Sequence, residues 1–294
     1  MKVYPNAGEV SLDMAAVDKI LRAGLKEMQT IKVQATTSVV GSEQGVALLS
    51  AAKGRFVADS LAALGRLRRG NERSAALERL SEDVRKVAGA MAEQHLSMAT
   101  GKVVTRRFKE EKLQRLQRHW FRVLKSGLVT TAEAAKVNTA LHELSSRFRA
   151  EHLSATVIHG DAHLGNYAVA NKVTMIDMGG MRAGAPAALD VGRYWQSFVG
   201  FGAMSGLTQA EVKTLQGAFI SESIKRNPAL RQSHASQSVA AADLGIHALS
   251  MVVAKRTPAN GSRDGSSNDG VARKMFAQVQ ATLGIGAGSL ATSF

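Results

Sequence analysis

The chain has 294 residues, of which 45% are apolar, and this is enough to bury a large core without covalent crosslinks. It contains no cysteine, which excludes disulfide bonds and thiolate metal sites. The net charge of +14 lies mostly in residues 1–150, and it favours anionic partners such as nucleotides, phosphoinositides or nucleic acid over polycationic ones.

The first 53 residues predict a small region of short strands and one helix. Residues 2–4 form a strand stub, and the apolar spacing of residues 11–29 predicts a helix. β-branched residues alternate through 31–40 and predict a second strand, while 46–50 predicts a third. The small residues at 51–54 predict a flexible linker.

Most of the remaining chain has helical periodicity. Before residue 157 we expect helices over 56–67, 74–100, 102–125 and 130–153, the last opened by a capping box at Thr130 and Glu133. After residue 186 we expect helices over 189–203, 208–226, 236–256 and 271–283, with a second capping box at Thr208 and Glu211 and a mobile loop at 257–269. No stretch is predicted to be long and apolar enough to span a membrane.

The helix predicted over 102–125 is the most basic part of the chain, with nine Lys or Arg and two Glu. It also has an apolar face, made by Leu113, Leu116, Trp120 and Leu124. Such a helix can lie on an anionic membrane or bind nucleic acid. It can equally be a surface helix that packs on the protein through its apolar face. The sequence leaves both interpretations open.

Oxygen-bearing side chains gather between residues 157 and 177. A short apolar run leads into a His-Gly-Asp triplet ending at Asp161, and Asn166 follows five positions later. Two brief strands then flank a turn at 171–172, and the second strand ends at Asp177. The two Asp and the Asn therefore lie at one end of a predicted hairpin. Their hard oxygen atoms suit Mg²⁺ bound to a polyphosphate.

Two other interpretations of this stretch compete with a phosphate site. Asp and Asn are common in turns because they bond to their own backbone. Alternatively, His159, Asp161 and His163 alternate along the chain, so in an extended segment they would share one face and could bind zinc. A zinc site would give Asn166 and Asp177 no role.

The order of these residues resembles the catalytic core of kinase-like phosphotransferases, where His-x-Asp, four residues and an Asn precede an Asp-x-Gly triplet. The Gly at 160 and the Ile-Asp-Met-Gly sequence ending at Gly179 look more like the aminoglycoside phosphotransferase and choline kinase branch than like protein kinases. The segment 186–193 is similar to that branch's next helix, which begins with a conserved Asp, here Asp190.

This resemblance implies an α+β, protein-kinase-like bilobal fold that is mostly helical. Residues 1–52 would form a partial small lobe, and 53–256 the helical large lobe with its catalytic loop at 157–180. Residues 257–294 would be a flexible loop, a short helix and a disordered tail. The small lobe would lack its first two strands and their Gly-rich loop, because no such segment precedes Lys2.

The resemblance also implies ATP and Mg²⁺ as cofactors, with the γ-phosphoryl group moving to a hydroxyl of a small molecule or protein. Asp161 would orient the hydroxyl and accept its proton. Asn166 and Asp177 would hold Mg²⁺. His159 and Asp190 would brace the catalytic loop.

For the nucleotide, the resemblance implies that Lys2 contacts the phosphates. Its acidic partner would be Asp18, with Glu27 as the alternative. Adenine would meet backbone groups of Ser50, Ala51, Ala52 and Lys53.

Two further functions stay open at this level. The missing Gly-rich loop favours a catalytically inactive kinase-like binding module. The zinc interpretation favours a metal-dependent hydrolase that uses His159, Asp161 and His163. The first five residues do not form a signal peptide, so we expect a cytoplasmic protein, with delivery into another cell without a cleaved signal as the alternative.

Overall fold

The computed structural model describes residues 2–4, 28–30, 33–36, 45–49, 54–254 and 266–285. Most of the predicted helix at 11–29 lies outside these residues, as do Asp18, Glu27 and the whole segment 50–53. The predicted Gly-rich end also lies outside them, from residue 286 onward.

Nine short strands are described. They are β1 (Lys2–Tyr4), β2 (Met28–Thr30), β3 (Val33–Thr36), β4 (Gly45–Leu49), β5 (Arg55–Phe56), β6 (Thr156–Ile158), β7 (Tyr167–Val169), β8 (Val173–Met175) and β9 (Arg182–Ala185). β1, β4 and β3 form an antiparallel sheet in that order, with Lys2 opposite Ala47 and Val33 opposite Leu49. The three strands predicted near the N-terminus are therefore confirmed.

A second sheet contains the predicted hairpin. β7 and β8 are antiparallel, with Tyr167 opposite Met175, which confirms the hairpin. The sheet order is β2-β8-β7-β5, and β2 runs parallel to β8. Met28 and Gln29 therefore lie in a strand, although the sequence predicted the end of a helix there. Such a short strand forms because it pairs with a strand far away in the sequence, and local propensity does not identify that pairing partner.

The third sheet closes the segment that carries the polar motif. β6, just before the motif, pairs antiparallel with β9, which follows it, and Ile158 lies opposite Arg182. All three residues of β6 are buried. This pairing brings the start and the end of the motif together at one place in the large lobe.

Each helix predicted after residue 55 is present, with ends that shift by up to five residues. The helices are α1 (Val57–Arg66), α2 (Asn71–Ser97), α3 (Arg106–Lys125), α4 (Thr131–Ala150), α5 (Ala188–Met204), α6 (Gln209–Arg226), α7 (His234–Ala254) and α8 (Ser266–Thr282). Both predicted capping boxes form, at Thr130 and at Thr208. α8 begins inside the predicted loop at 257–269.

The basic helix α3 packs through its apolar face. Leu113, Leu116 and Trp120 are buried in a cluster shared with α4, α7 and α8, and Trp120 donates a hydrogen bond of 2.7 Å to Asn138 on α4. Burial of this face stabilises the fold, and most of the basic side chains of α3 lie at the surface or in one groove. The interpretation of α3 as a docked surface helix is confirmed.

α7 is central to the large lobe and packs against α3, α4, α5 and α8. Among the described residues it is the one helix long and apolar enough to cross a membrane by length and composition, so the prediction of no such run was wrong. Gln237 and Asp243 lie buried along it. A core helix that packs on four neighbouring helices can be as apolar as a membrane-spanning helix, because both are surrounded by apolar groups on most sides.

Helices α5 and α7 approach closely at Gly192. A Cβ atom there would lie 2.1 Å from the carbonyl oxygen of Gln237, so a larger residue would force the helices apart. Three aromatic side chains of α5, Tyr194, Trp195 and Phe198, are buried in the core. This packing fixes α5 beneath the polar motif.

Candidate active site

Asp190, near the start of α5, holds the loop that follows β6. Its carboxylate accepts hydrogen bonds from the backbone N–H groups of His159, over 2.7 Å, and Gly160, over 3.0 Å. It also contacts Nε2 of His95 on α2 at 3.0 Å. The side chain is 1% exposed. One buried carboxylate thus fixes the backbone of the His-Gly-Asp triplet.

The pKa of Asp190 lies below its usual value. Burial acts to raise this pKa, but the hydrogen bond and charge of His95 and the donors of the loop outweigh it. The carboxylate is therefore held ionised by the groups that it positions. The bracing role that the resemblance implied for Asp190 stays a prediction, and it would use these contacts.

His159 is fully buried, and both of its ring nitrogens are engaged. Nε2 lies 2.9 Å from the carbonyl oxygen of Ile176, and Nδ1 accepts a hydrogen bond of 3.2 Å from the N–H of Asp161. The first contact requires a proton on Nε2, so one tautomer is fixed. The imidazole ties the loop that carries Asp161 to the segment before Asp177.

The structure gives no support to the zinc hydrolase. His159 has no ring nitrogen left for a metal, and Nδ1 of His163 accepts a hydrogen bond of 3.1 Å from the N–H of Gly165. In the part of the chain that the structure describes, no three or more His, Cys, Asp or Glu side chains are grouped to hold a metal ion.

Gly160 brings the two loops of the motif into direct contact. Its φ of 81° lies in the left-handed region, and a Cβ atom there would lie 2.3 Å from the carbonyl oxygen of Gly180. Only glycine combines this backbone conformation with so close an approach. The loop carrying Asp161 therefore packs against the 3₁₀ turn Met178–Gly180, which begins directly after Asp177.

Asp161 is partly exposed and points to two basic side chains. Arg193 donates a hydrogen bond of 2.7 Å from Nη2 to Oδ1. Nε2 of His163 lies 3.8 Å from Oδ2. With its side chain 39% exposed, Asp161 can still accept a proton from a ligand through Oδ2.

Asn166 and Asp177 lie next to each other at the end of the hairpin. Nδ2 of Asn166 donates a hydrogen bond of 2.9 Å to the carbonyl oxygen of Asp161, and the N–H of Ile176 donates to the carbonyl oxygen of Asn166 over 3.0 Å. The amide nitrogen of Asn166 thus faces the loop, and the amide oxygen points away from the loop. Asp177 is exposed, with a left-handed φ of 56°.

These two side chains fit a hard divalent cation. The amide of Asn166 has its nitrogen committed to the loop, and carboxylate and amide oxygens are the ligands that Mg²⁺ prefers. The left-handed backbone of Asp177 is a strained conformation for a residue other than glycine, and such strain is common at functional sites.

His163 sits at the edge of the site. Burial lowers its pKa below the usual value, while the charge of Asp161 partly opposes this effect and that of Arg193 adds to it. The imidazole stacks against Phe201, with ring centroids 6.1 Å apart. A mostly neutral His163 therefore covers one side of the Asp161 carboxylate.

Arg193 was not predicted as a site residue. It lies three positions after Asp190 on α5, and residues at this spacing share a helix face. A helix that presents Asp190 to the loop therefore presents Arg193 to the loop as well. This spacing is the sequence signal from which Arg193 could have been predicted as a site residue.

The predicted nucleotide contacts are only partly described. Lys2 lies in β1 opposite Ala47, as the strand prediction required. The positions of Asp18, Ser50, Ala51, Ala52 and Lys53 lie outside the described residues, so their roles stay predictions.

Together, the small N-terminal sheet, the helical large lobe and the braced loop define a protein-kinase-like bilobal fold of the α+β class. The sequence itself matches no protein-family model and no curated protein. The likeness to solved structures is therefore one of fold.

Several solved phosphotransferases share this fold. A glucosamine kinase in complex with glucosamine, ADP and inorganic phosphate is 13% identical, with a TM-score of 0.61 over 90% of this chain and 71% of that chain. A choline/ethanolamine kinase family protein from Mesorhizobium loti is also 13% identical, with a TM-score of 0.60 over 99% and 85%. An amicoumacin kinase in complex with AMP-PNP, Ca²⁺ and Ami is 13% identical, with a TM-score of 0.52 over 94% and 78%.

Proposed function

We propose that this protein is an ATP-dependent phosphotransferase that moves the γ-phosphoryl group of ATP to a hydroxyl of a small molecule. One observation carries the proposal: Asp190 fixes a loop that presents Asp161 next to Asn166, and the backbone of Asn166 pairs with Ile176, the residue before Asp177. Its fold neighbours are kinases of small molecules, which supports the same class.

In the proposed reaction the acceptor hydroxyl oxygen forms a bond to the γ-phosphorus as the bond from that phosphorus to ADP breaks. Asp161 accepts the hydroxyl proton on Oδ2, because Arg193 already occupies Oδ1. Asp161 also orients the hydroxyl, and positioning supplies much of the rate enhancement in phosphoryl transfer. His159 and Asp190 keep the loop in place.

Asn166 and Asp177 would hold Mg²⁺, which neutralises charge on the phosphates when it is bound. The Ca²⁺ in the amicoumacin kinase complex supports a divalent cation in a site of this fold. The proposed nucleotide contacts are Lys2, paired with Asp18, and the backbone of Ser50 to Lys53.

The test measures MgATP binding by thermal shift and ADP release in the presence of glucosamine, ethanolamine and a panel of hydroxylated acceptors. Asp161→Asn keeps the shape of the carboxyl group but removes the base. We expect it to retain the MgATP shift and to lose about a hundredfold or more in turnover. Asp177→Asn should weaken the part of the shift that depends on Mg²⁺.

Asp59→Asn, on the exposed surface of α1, is the matched control and should leave both measurements unchanged. Wild-type turnover in the Asp161→Asn variant would overturn the assignment of Asp161. A folded wild-type protein with neither a MgATP shift nor ADP release would overturn the proposed function and leave a kinase-like binding module.

A further inference from the structure

A strongly basic groove lies between α3 and the start of β9, with a volume of about 290 Å³. Its lining residues are Phe108, Glu111, Lys112, Gln114, Arg115, Arg118 and Arg182. Four of these side chains are cationic. The one carboxylate, Glu111, is already bound by Arg107 over 2.9 Å. The groove therefore has an excess of positive charge.

Asp243 on α7 is the carboxylate behind this groove, and it faces more cations than it can neutralise. Its Oδ2 lies 3.6 Å from Nζ of Lys112, 3.5 Å from Nε of Arg115 and 4.0 Å from Nη1 of Arg193. Its Oδ1 contacts Nδ1 of His119 at 3.1 Å. The single negative charge of Asp243 thus lies close to three cationic side chains.

Lys112 is the most unusual member of the cluster. Its side chain is 7% exposed, yet the ammonium group makes no hydrogen bond to any residue that the structure describes. Burial lowers its pKa to about 8, and although Asp243 opposes this, the charges of Arg182 and Arg115 lower it further. A mostly buried lysine whose ammonium group has no hydrogen-bond acceptor among the described residues is costly unless a ligand or solvent in the groove supplies one.

Other polar atoms around Asp243 are also unsatisfied. Within the described residues, Oδ2 of Asp243, Nε of Arg193 and Nδ1 of His247 are buried and have no hydrogen-bond partner. His247 packs on His119, with ring centroids 4.5 Å apart. Buried polar groups are rarely left unpaired, and a cluster of them indicates a missing polar ligand or water.

The groove is connected to the candidate active site through one side chain. Arg193 contacts Asp161 by Nη2 and faces Asp243 by Nη1. Arg182 forms the opposite wall and is held over the ring of Phe108, 5.2 Å from its centroid. Arg193 thus links the carboxylate of Asp161 to that of Asp243 behind the groove, so the two sites share one side chain.

We propose that this groove binds a phosphate group carried by the acceptor, so that the substrate is a hydroxylated phosphate ester. Lys112, Arg115 and Arg182 would bind its oxygens, and guanidinium groups suit this geometry because their planar forks match a phosphate. The inference rests on the proposed function. It sets this chain apart from the fold neighbours named for glucosamine, choline or ethanolamine, which carry an amine or ammonium group.

The experiment compares ribose 5-phosphate with ribose, by calorimetric titration of the protein in the presence of saturating MgADP. We expect ribose 5-phosphate to bind and ribose to bind at least tenfold more weakly. Lys112→Met and Arg115→Gln should each weaken the binding of ribose 5-phosphate at least tenfold. Thermal unfolding of each variant verifies that it is folded.

A second basic groove provides the control. It contains Lys172, Lys225 and Arg226 at the far end of the hairpin. Lys225→Met should change the affinity for ribose 5-phosphate less than twofold. Equal loss with Lys225→Met, or equal binding of ribose and ribose 5-phosphate, would overturn the proposal. Binding of single-stranded DNA or anionic vesicles that is tighter than the binding of ribose 5-phosphate, and is lost in Lys112→Met and Arg115→Gln, would also overturn the proposal.

This measurement is independent of phosphoryl transfer. If ribose 5-phosphate binds through Lys112 and Arg115 but no acceptor is phosphorylated, the groove assignment holds and the proposed function fails. If neutral hydroxylated acceptors are phosphorylated and phosphate esters have no advantage, the proposed function holds and the groove assignment fails.

Discussion

Arg193 donates a hydrogen bond of 2.7 Å to the carboxylate of Asp161. The guanidinium is 12% exposed and belongs to the same helix as Asp190, which fixes the backbone of the loop. One helix therefore controls both the position of the loop and the orientation of the Asp161 carboxylate. The same guanidinium faces Asp243 and so forms the wall between the candidate active site and the basic groove.

Arg193→Gln should reduce turnover ten- to a hundredfold and leave the KM for ATP within twofold. The amide cannot hold Oδ1 of Asp161 as an ion pair does, so the carboxylate is less well oriented toward the acceptor. Steady-state kinetics with the best acceptor measures this. Arg68→Gln, on an exposed part of the surface, should have no effect. Unchanged kcat in Arg193→Gln would refute the positioning role.

Gly160→Ala should destabilise the protein by about 2 kcal/mol or more and greatly reduce activity, since the methyl group meets the carbonyl oxygen of Gly180 at 2.3 Å. Gly127→Ala is the matched control. Gly127 also has a positive φ, of 68°, but its Cβ would meet no atom within 4 Å. Urea denaturation of the two variants separates the clash from the backbone strain. Equal losses would show that the contact between the loops has no importance.

The ion pair between Arg73 and Glu211 should make stability sensitive to acid. Hydrogen bonds from Arg73, of 2.6 and 2.9 Å, together with those from Thr208, lower the pKa of Glu211 from 4.5 to about 2, against the opposing effect of burial. A carboxyl group with a lowered folded pKa stabilises the protein above its unfolded pKa, and this stability is lost as the pH falls from about 4.5 to about 2.

Because solvent screens part of this interaction, we expect the ion pair to contribute on the order of 1–2 kcal/mol at neutral pH. Glu211→Gln should therefore flatten the dependence of the free energy of unfolding on pH between 4.5 and 2. Glu143→Gln, on the exposed face of α4, should leave that dependence unchanged. Equal slopes in the wild type and Glu211→Gln would contradict the assignment.

Lys112→Met should stabilise the fold at pH 7 by about 1–3 kcal/mol, although it removes a cation of the groove. Burial lowers the pKa of Lys112 from its usual 10.5 to about 8 in the folded protein. The unfavourable free energy of burying the charged form is therefore fully present below about pH 8. Arg115 and Arg193 still neutralise Asp243 in the variant. The gain should shrink as the pH rises from 8 toward 10.5.

Thermal and urea unfolding across this pH range provide the measurement. Lys225→Met should change the free energy of unfolding by less than about 0.5 kcal/mol, because the Lys225 side chain is 74% exposed. A loss of more than about 1 kcal/mol in Lys112→Met would show that the ammonium group stabilises the fold without any ligand.

The sequence by itself determined the helices after residue 55, both capping boxes, the β7–β8 hairpin and the adjacency of Asn166 and Asp177. These features depend on periodicity, on caps and on turns, which act over a few residues. The strand Met28–Thr30 could not be predicted in this way, because its partner β8 lies far along the chain.

Only the tertiary structure decided the chemistry around Asp161. Periodicity identified α3, α5 and α7 as helices. It did not show that they place Lys112 and Arg193 within 4.0 Å of the carboxylate of Asp243. The reason is that the packing of the helices, fixed by close approaches such as that at Gly192, decides which charged side chains come together. The electrostatic energy of a charged side chain depends on its distances to other charges and on its burial, and neither can be read from local sequence.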